Sequence, residues 1–168
     1  MSMKFRLEQD SFGDLLVPFA ALYGAQTQRA VQNFALSGLR MPPEFIQSMA
    51  LIKAAASEAN GALGHLPKAQ AKAIAAAAHA IAAGEFAEQF PVDVFQTGSG
   101  TSSNMNLNEV IATLVKRQAK LDVHPNNHVN LGQSSNDMVP SSSLLASVLL
   151  LKSMLLPAGV ILGGDLKK

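Results

Sequence analysis

Two polar stretches interrupt an otherwise apolar, alanine-rich chain: Gln96-Thr97-Gly98-Ser99-Gly100-Thr101-Ser102-Ser103-Asn104, and His124-Pro125-Asn126 through Gln133-Ser134-Ser135-Asn136-Asp137. Clustered hydroxyl, amide and glycine residues supply hydrogen-bond donors for carboxylates. A glycine-rich turn feeding a helix adds backbone N–H groups that lack intrahelical partners and lie at the positive end of the helix dipole, which favours an anion. The hydroxyls of Ser99 and Thr101 extend that set. A phosphate-binding P-loop would need lysine after the last glycine, where Thr101 stands, and no Gly-x-Gly-x-x-Gly follows a strand, so both nucleotide readings fail. Taken alone, Gly98–Thr101 builds a plain capping turn more often than a site, and the same holds for Ser134-Ser135-Asn136-Asp137.

The histidines carry less. His124 and His128 are four apart, a spacing that on a helix gives two zinc ligands on one face, but Pro125 keeps its predecessor out of helical geometry and no cysteine or nearby third ligand completes a site. No metal site is expected. His65, between Gly64 and Pro67, and His79, inside an alanine run, read as surface or packing residues.

The elements that must position these stretches follow from hydrophobic period. The first forty residues read as short extended pieces and turns, with Ser11-Phe12-Gly13-Asp14 closing a hairpin. From Pro42-Pro43, the positions Phe45, Met49, Ile52, Ala56, Ala59 and Leu63 recur at helical spacing up to Gly64. Pro67 opens a second helix that runs through Ile74 and Ile81 to Gly84, and its small side chains allow close approach of neighbours. Residues 85–97 form a connector, and a helix follows Gly98–Thr101 through Leu107, Ile111 and Leu114 to about Lys116. A second loop is expected over 122–137, with Pro140-Ser141-Ser142-Ser143 starting a long apolar helix. At 168 residues the chain suits one domain.

Composition narrows the classes. The chain has 168 residues, 48% of them hydrophobic and 15% charged, enough to build a core. Its formal charge of +1 is spread over 13 basic and 12 acidic residues with no run of either sign, and tryptophan is absent, so nucleic acid is not an expected partner. No cysteine is present, which excludes disulfides and thiolate sites. The first eight residues lack a signal-like apolar core, so a cytoplasmic location is expected. The stretch from Leu144 to Leu162 is long enough to span a membrane, but Lys152 near its middle costs about 2.5–3.5 kcal/mol on insertion scales. A buried helix of a soluble bundle, with no membrane, is the expectation.

Together with Gly24-Ala25-Gln26-Thr27-Gln28-Arg29, the two polar stretches occur in an order and at intervals that resemble the class II fumarase and aspartase superfamily, specifically the N-terminal portion of a class II fumarate hydratase. The resemblance runs from about Phe5 to the mid-150s and covers the first third of a typical member. It implies a mainly α fold: an N-terminal helical domain with a small β-hairpin over 1–137, followed by the truncated start of a central helical bundle over 138–168. It implies a dicarboxylate site to which Ser99, Gly100, Thr101, Ser134, Ser135 and Asn136 contribute, and a second anion site at His124, Asn126 and Asn127. The family usually has aspartate at the position of Asn127, and an arginine where this chain has Lys120-Leu121-Asp122.

The reaction so implied is reversible hydration of fumarate to L-malate, without metal or organic cofactor. Proton removal beside a carboxylate loads charge onto it, so preorganised donors matter most in the transition state. The family's catalytic serine, in a Gly-Ser-Ser-x-Met-Pro-x-Lys loop, and its relay histidine match nothing here; no catalytic acid or base is expected within these residues. The resemblance also implies a homotetramer with shared sites, and a chain ending at Lys168 is expected to be inert alone and either to self-associate or to aggregate. Aspartate ammonia-lyase is the sibling alternative, and a non-catalytic helical oligomerisation fragment is the alternative of another class.

Overall fold

The computed structural model of the chain describes residues 4–166; expectations that rest on residues 1–3 or on Lys168 fall outside them. Strands β1 (Phe5–Asp10) and β2 (Gly13–Pro18) pair antiparallel, from Phe5 opposite Pro18 to Asp10 opposite Gly13, so the expected turn at 11–14 does close a hairpin. Arg6 pins that hairpin to the chain beyond it. Its guanidinium donates to the carbonyls of Pro18, Phe19, Ala21 and Tyr23 at 2.7–3.2 Å and pairs with Glu8 at 2.7 Å.

The next element corrects the sequence reading. Residues 25–33, expected to be extended or turn, form helix α1 (Ala25–Asn33). Its own residues supply no side-chain cap. The cap comes from 85 residues away: the buried Glu109 carboxylate accepts from the N–H groups of Gly24 (2.8 Å), Gln26 (3.1 Å) and Thr27 (3.1 Å) and from the Thr27 hydroxyl (2.6 Å). A carboxylate at this end satisfies orphan donors and complements the dipole. Gly24 leaves room for it, because a Cβ there would lie 2.9 Å from Glu109 Oε1.

Three helices make the core. Helices α2 (Pro43–Ala62) and α3 (Lys68–Ala82) start at prolines as the sequence predicts and stop before Leu63-Gly64 and Ala83-Gly84. They approach so closely that a Cβ on Gly61 would meet that of Ala71 at 2.6 Å, and Ser57 Oγ donates across to the Ala71 carbonyl at 3.0 Å. Helix α4 (Thr101–Ala119) lies against them, burying Leu107, Val110, Ile111, Leu114 and Val115 against Met49, Ile74, Ala78 and Ile81. It runs one turn beyond the expected Lys116 and ends at Lys120, whose φ of 57° reverses the chain.

The C-terminal helix departs from expectation in two ways. Helix α5 (Ser135–Leu150) starts at Ser135 and contains Pro140 in its second turn, which forfeits the bond an N–H there would make to the Asn136 carbonyl. A widened turn at Leu151–Leu155 leads into α6 (Leu156–Asp165), accommodating Pro157 just inside it. The whole helix, Ser135–Asp165, is long and apolar enough to cross a membrane, with mean hydropathy 2.1 over its most apolar stretch, of which only 6% is buried. Burial was expected; among the described residues only Met138, Ser142 and Ala146 of this helix are buried, because α2 and α4 cover one face of its first turns, α2 still runs beside Leu149, Leu150 and Ser153, and the turns beyond are exposed.

Glu109→Gln replaces one acceptor oxygen with a donor facing donors. A loss of about 1.5–3 kcal/mol in unfolding free energy is expected from removing hydrogen bonds to a charged group. Amide exchange should accelerate across residues 25–33 more than in α3, and uniform acceleration would refute the capping role.

Candidate functional site

The first polar stretch is built by clamps at both ends. Asp93 accepts from the N–H of Phe95 (2.9 Å), the N–H of Ser37 (2.8 Å), the Ser37 hydroxyl (2.8 Å) and the N–H of Gly38 (2.8 Å). The Phe95 N–H bond, followed by the Ser37 and Gly38 bonds, lowers the Asp93 carboxyl to about 2 against the opposing effect of burial. Gln96 then bridges to α4: its amide donates to the Asp93 carbonyl and to Ser103 Oγ, both at 2.9 Å, and accepts the Ser103 N–H at 2.8 Å. Between these clamps Gly98–Gly100 forms a tight turn with two successive left-handed residues, Ser99 at φ 62° and Gly100 at φ 62°. Serine pays a steric penalty there that glycine does not. Gly100 is required twice, because a Cβ would lie 2.9 Å from Val139 Cγ2 on α5.

That contact brings the second stretch to the first. Thr101, at the start of α4, and Ser135, at the start of α5, place their hydroxyls 3.1 Å apart. Ser134 caps α5, its Oγ accepting the Asn136 N–H at 3.2 Å. Two helix N-termini therefore converge on one spot, each surrounded by small donors. Ser99, Thr101, Ser134 and Asn136 are solvent-exposed and Ser135 is half-buried, so the described residues form an open face rather than an enclosed pocket.

The proposed second anion residues are arranged differently. His124 starts a wide turn, Pro125–Val129, and its Nδ1 accepts the N–H groups of Asn126 (3.2 Å) and Asn127 (3.1 Å). The His124 N–H in turn donates to His128 Nδ1 at 2.8 Å. His124 and His128 line a cleft of about 430 Å³ together with Arg6, Lys116 and Arg117 and the acidic Glu8, Glu109 and Asp122. Asn126 and Asn127 are exposed and are not among its walls. His79, exposed on α3, meets Glu58 at 3.5 Å, and His65 is exposed.

Sequence reasoning missed the residues beneath the loop. Lys53, fully buried on α2, donates to Gln133 Oε1 at 2.9 Å and to Asn130 Oδ1 at 3.3 Å. Asn104 and Asn108 of α4 also donate to Asn130 Oδ1, at 3.1 and 3.3 Å. Gln133 donates to the Val129 carbonyl at 3.0 Å, and Asn130 to the Gln133 carbonyl at 3.1 Å. The available signal was a lysine set among Ala50, Ile52 and Ala54.

A family profile described as Lyase matches residues 13–162. The chain belongs to that lyase family. It is 58% identical over 157 residues to a class II fumarate hydratase of Xylella fastidiosa, covering 94% of this chain and 33% of the relative. Among solved structures it is similar to a class II fumarase from Schistosoma mansoni, with 37% identity and a TM-score of 0.87 over 92% of this chain and 34% of that one. A fumarate lyase:delta crystallin from Brucella melitensis superimposes with 44% identity and a TM-score of 0.83, covering 88% of this chain and 35% of that one. The expected mainly helical fold with a small hairpin is thus the fold of the chain's relatives, and the chain spans about a third of their length.

Two outcomes follow for the loop between Asp93 and Thr101. Asp93 has a depressed folded-state pKa, so its contribution is complete above about pH 4 and lost as pH falls toward 2. The wild-type melting temperature should drop through that window more steeply than that of Asp93→Asn. Gly100→Ala should cost roughly 1–2 kcal/mol for the left-handed backbone plus the Val139 clash. Adding Val139→Ala should recover only the clash; full recovery would show that backbone strain is negligible.

Proposed function

We propose that this chain supplies the dicarboxylate-binding half-site of a class II fumarate hydratase, which interconverts fumarate and L-malate. The convergence of two helix N-termini at Thr101 and Ser135 carries the reading, and the naming of the relatives supports hydration over ammonia release. In the 3.1 Å pair, one hydroxyl donates to the other, leaving one O–H outward. A carboxylate oxygen placed against both would receive both protons. The site residues are then Ser99, Gly100 and Thr101 from the first turn with Ser134, Ser135 and Asn136 from the second; His124, Asn126 and Asn127 are the candidates for a second anion position.

The chemistry these residues can perform is stabilisation. Removing the proton beside a malate carboxylate pushes a second negative charge onto that carboxylate, and fixed hydroxyl and N–H donors strengthen their bonds as the charge grows. The acid and base lie in the two thirds of the relatives that this chain does not span. The exposed apolar face of the Ser135–Asp165 helix supports assembly into a soluble, cytoplasmic homotetramer, in which further copies would both cover that helix and wall the open face.

The test is ligand titration of the isotope-labelled chain. Fumarate or L-malate should shift the amides of 99–102 and 135–137 saturably. Thr101→Val or Ser135→Ala should weaken binding about tenfold, the loss of about 1.4 kcal/mol from one hydrogen bond to a charged group. Saturable shifts with L-aspartate alone would overturn the hydratase reading in favour of an ammonia-lyase. Shifts with neither ligand would leave the helical-fragment reading.

A further inference from the structure

Lys53 sits where a cation is costly. Its side chain is completely buried, and none of the charged or titratable groups on the surrounding elements comes within ion-pair distance among the described residues: not Glu44 or Glu58 on α2, His79 on α3, Glu109 on α4, Asp122, His124 or His128 on the loop, or Asp137 on α5. Its hydrogen-bond acceptors number two, Asn130 Oδ1 and Gln133 Oε1. An ammonium has three N–H donors and a neutral amine two, so the site matches the neutral form and leaves a proton of the charged form without an acceptor. Both acceptors belong to the segment that leads directly into Ser134–Asn136.

We propose that Lys53 is a positioning residue for the candidate site, its buried amine tethering Asn130 and Gln133 so that Ser135 meets Thr101, and that gain or loss of a proton by the amine changes the geometry of this tether. Burial lowers the Lys53 amine from 10.5 to about 7, so the switch falls near neutrality. The sign is fixed by the direction of that shift. The unfolded chain binds the proton more tightly, so the stability contributed by the neutral amine grows as pH rises from about 7 toward 10.5 and is absent below. The inference concerns the loop's geometry and holds whichever carboxylate binds there, so its failure leaves the proposed function standing.

Lysine-labelled and amide-labelled chain, titrated from about pH 5.5 to about pH 9.5, tests it by NMR. One lysine Cε resonance, missing in Lys53→Met, should inflect near pH 7, and the amides of Asn130, Gln133 and Ser135 should inflect with the same midpoint. In Lys53→Met, which keeps side-chain length and apolar bulk, that amide inflection should vanish. The chain has no cysteine, so Lys53→Cys can be alkylated at a single position with 2-bromoethylamine in denaturant and refolded, and the restored amine should bring the inflection back. A Lys53 resonance that stays flat through pH 9 overturns the proposal. So does an amide inflection that persists in Lys53→Met, which would assign it to His124 or His128. If Lys53→Met does not fold, the wild-type midpoints still decide, and unequal lysine and amide midpoints refute the tether.

Discussion

One amine and four carboxamides, three of them on buried positions of α2 and α4 and two on the half-buried loop, hold the second polar stretch in place. Lys53 reaches from α2, Asn104 and Asn108 from α4, and Asn130 and Gln133 receive them from the loop. Polar groups in a low-dielectric interior are stable only while they satisfy one another, so the cluster has few arrangements available and the loop has correspondingly few positions. The buried carbonyl oxygens of Asn104 and Asn108 have no partner. Such orphan acceptors raise the free energy of the cluster and make its alternatives closer in energy than those of a fully paired network. The loop is held by this cluster at Asn130 and Gln133, directly ahead of the cap of α5.

The helices themselves were legible in the sequence, but only α3 buries one repeating stripe, Ala71, Ile74, Ala75, Ala78 and Ile81; α2 buries Ala50, Lys53, Ala54 and Ser57 where the spacing offers Ile52, Ala56, Ala59 and Leu63, and α4 is buried all round from Asn106 to Ala112. Pro43 and Pro67 mark starts, and the turns at Gly64 and Gly84 mark stops. What escaped is non-local. Helix α1 forms on the strength of Glu109, a cap that no window around residues 25–33 contains. Pro140 resembled a helix start but follows Ser135, because the true cap, Ser134, is tied to a helix whose N-terminus is fixed by contact with Gly100. Lys53 was invisible because a lone lysine in an apolar stripe ordinarily reaches solvent along its own stem. The order of the polar motifs could be read; the 3.1 Å that joins Thr101 to Ser135 could not, since it is a property of helix packing.

Electrostatically, the face presented by Thr101 and Ser135 relies on dipoles. No lysine or arginine hydrogen-bonds within either turn among the described residues, and Asp137 stands in the first turn of α5. Donors that carry no net charge attract a dianion weakly at long range but reorganise little when charge develops beside them, which suits selective stabilisation of a transition state over a ground state. The cationic groups Arg6, Lys116 and Arg117 are gathered in the separate cleft beside His124. They are interleaved there with three acids, so that cleft is also near electrical balance.

The serines of the last helix carry a mechanical consequence. Ser142, Ser143, Ser147 and Ser153 each donate to the carbonyl four residues back, at 2.6–3.1 Å, so their hydroxyls ask nothing of a neighbour. A helix so self-contained buries only Met138, Ser142 and Ala146 against the body, beside the contacts of Ser135 with Thr101 and of Val139 with Gly100, and from Ala146 to Asp165 it extends about 28 Å at 1.5 Å per residue. It works as a lever arm with a short bearing. A tilt of about 10° at the bearing sweeps the tip through about 5 Å, most of one helical turn. Minor changes in how α2 and α4 seat residues 138–146 are thereby magnified into a change of meshing partner at the far end, and the same bearing carries Ser135 at its root.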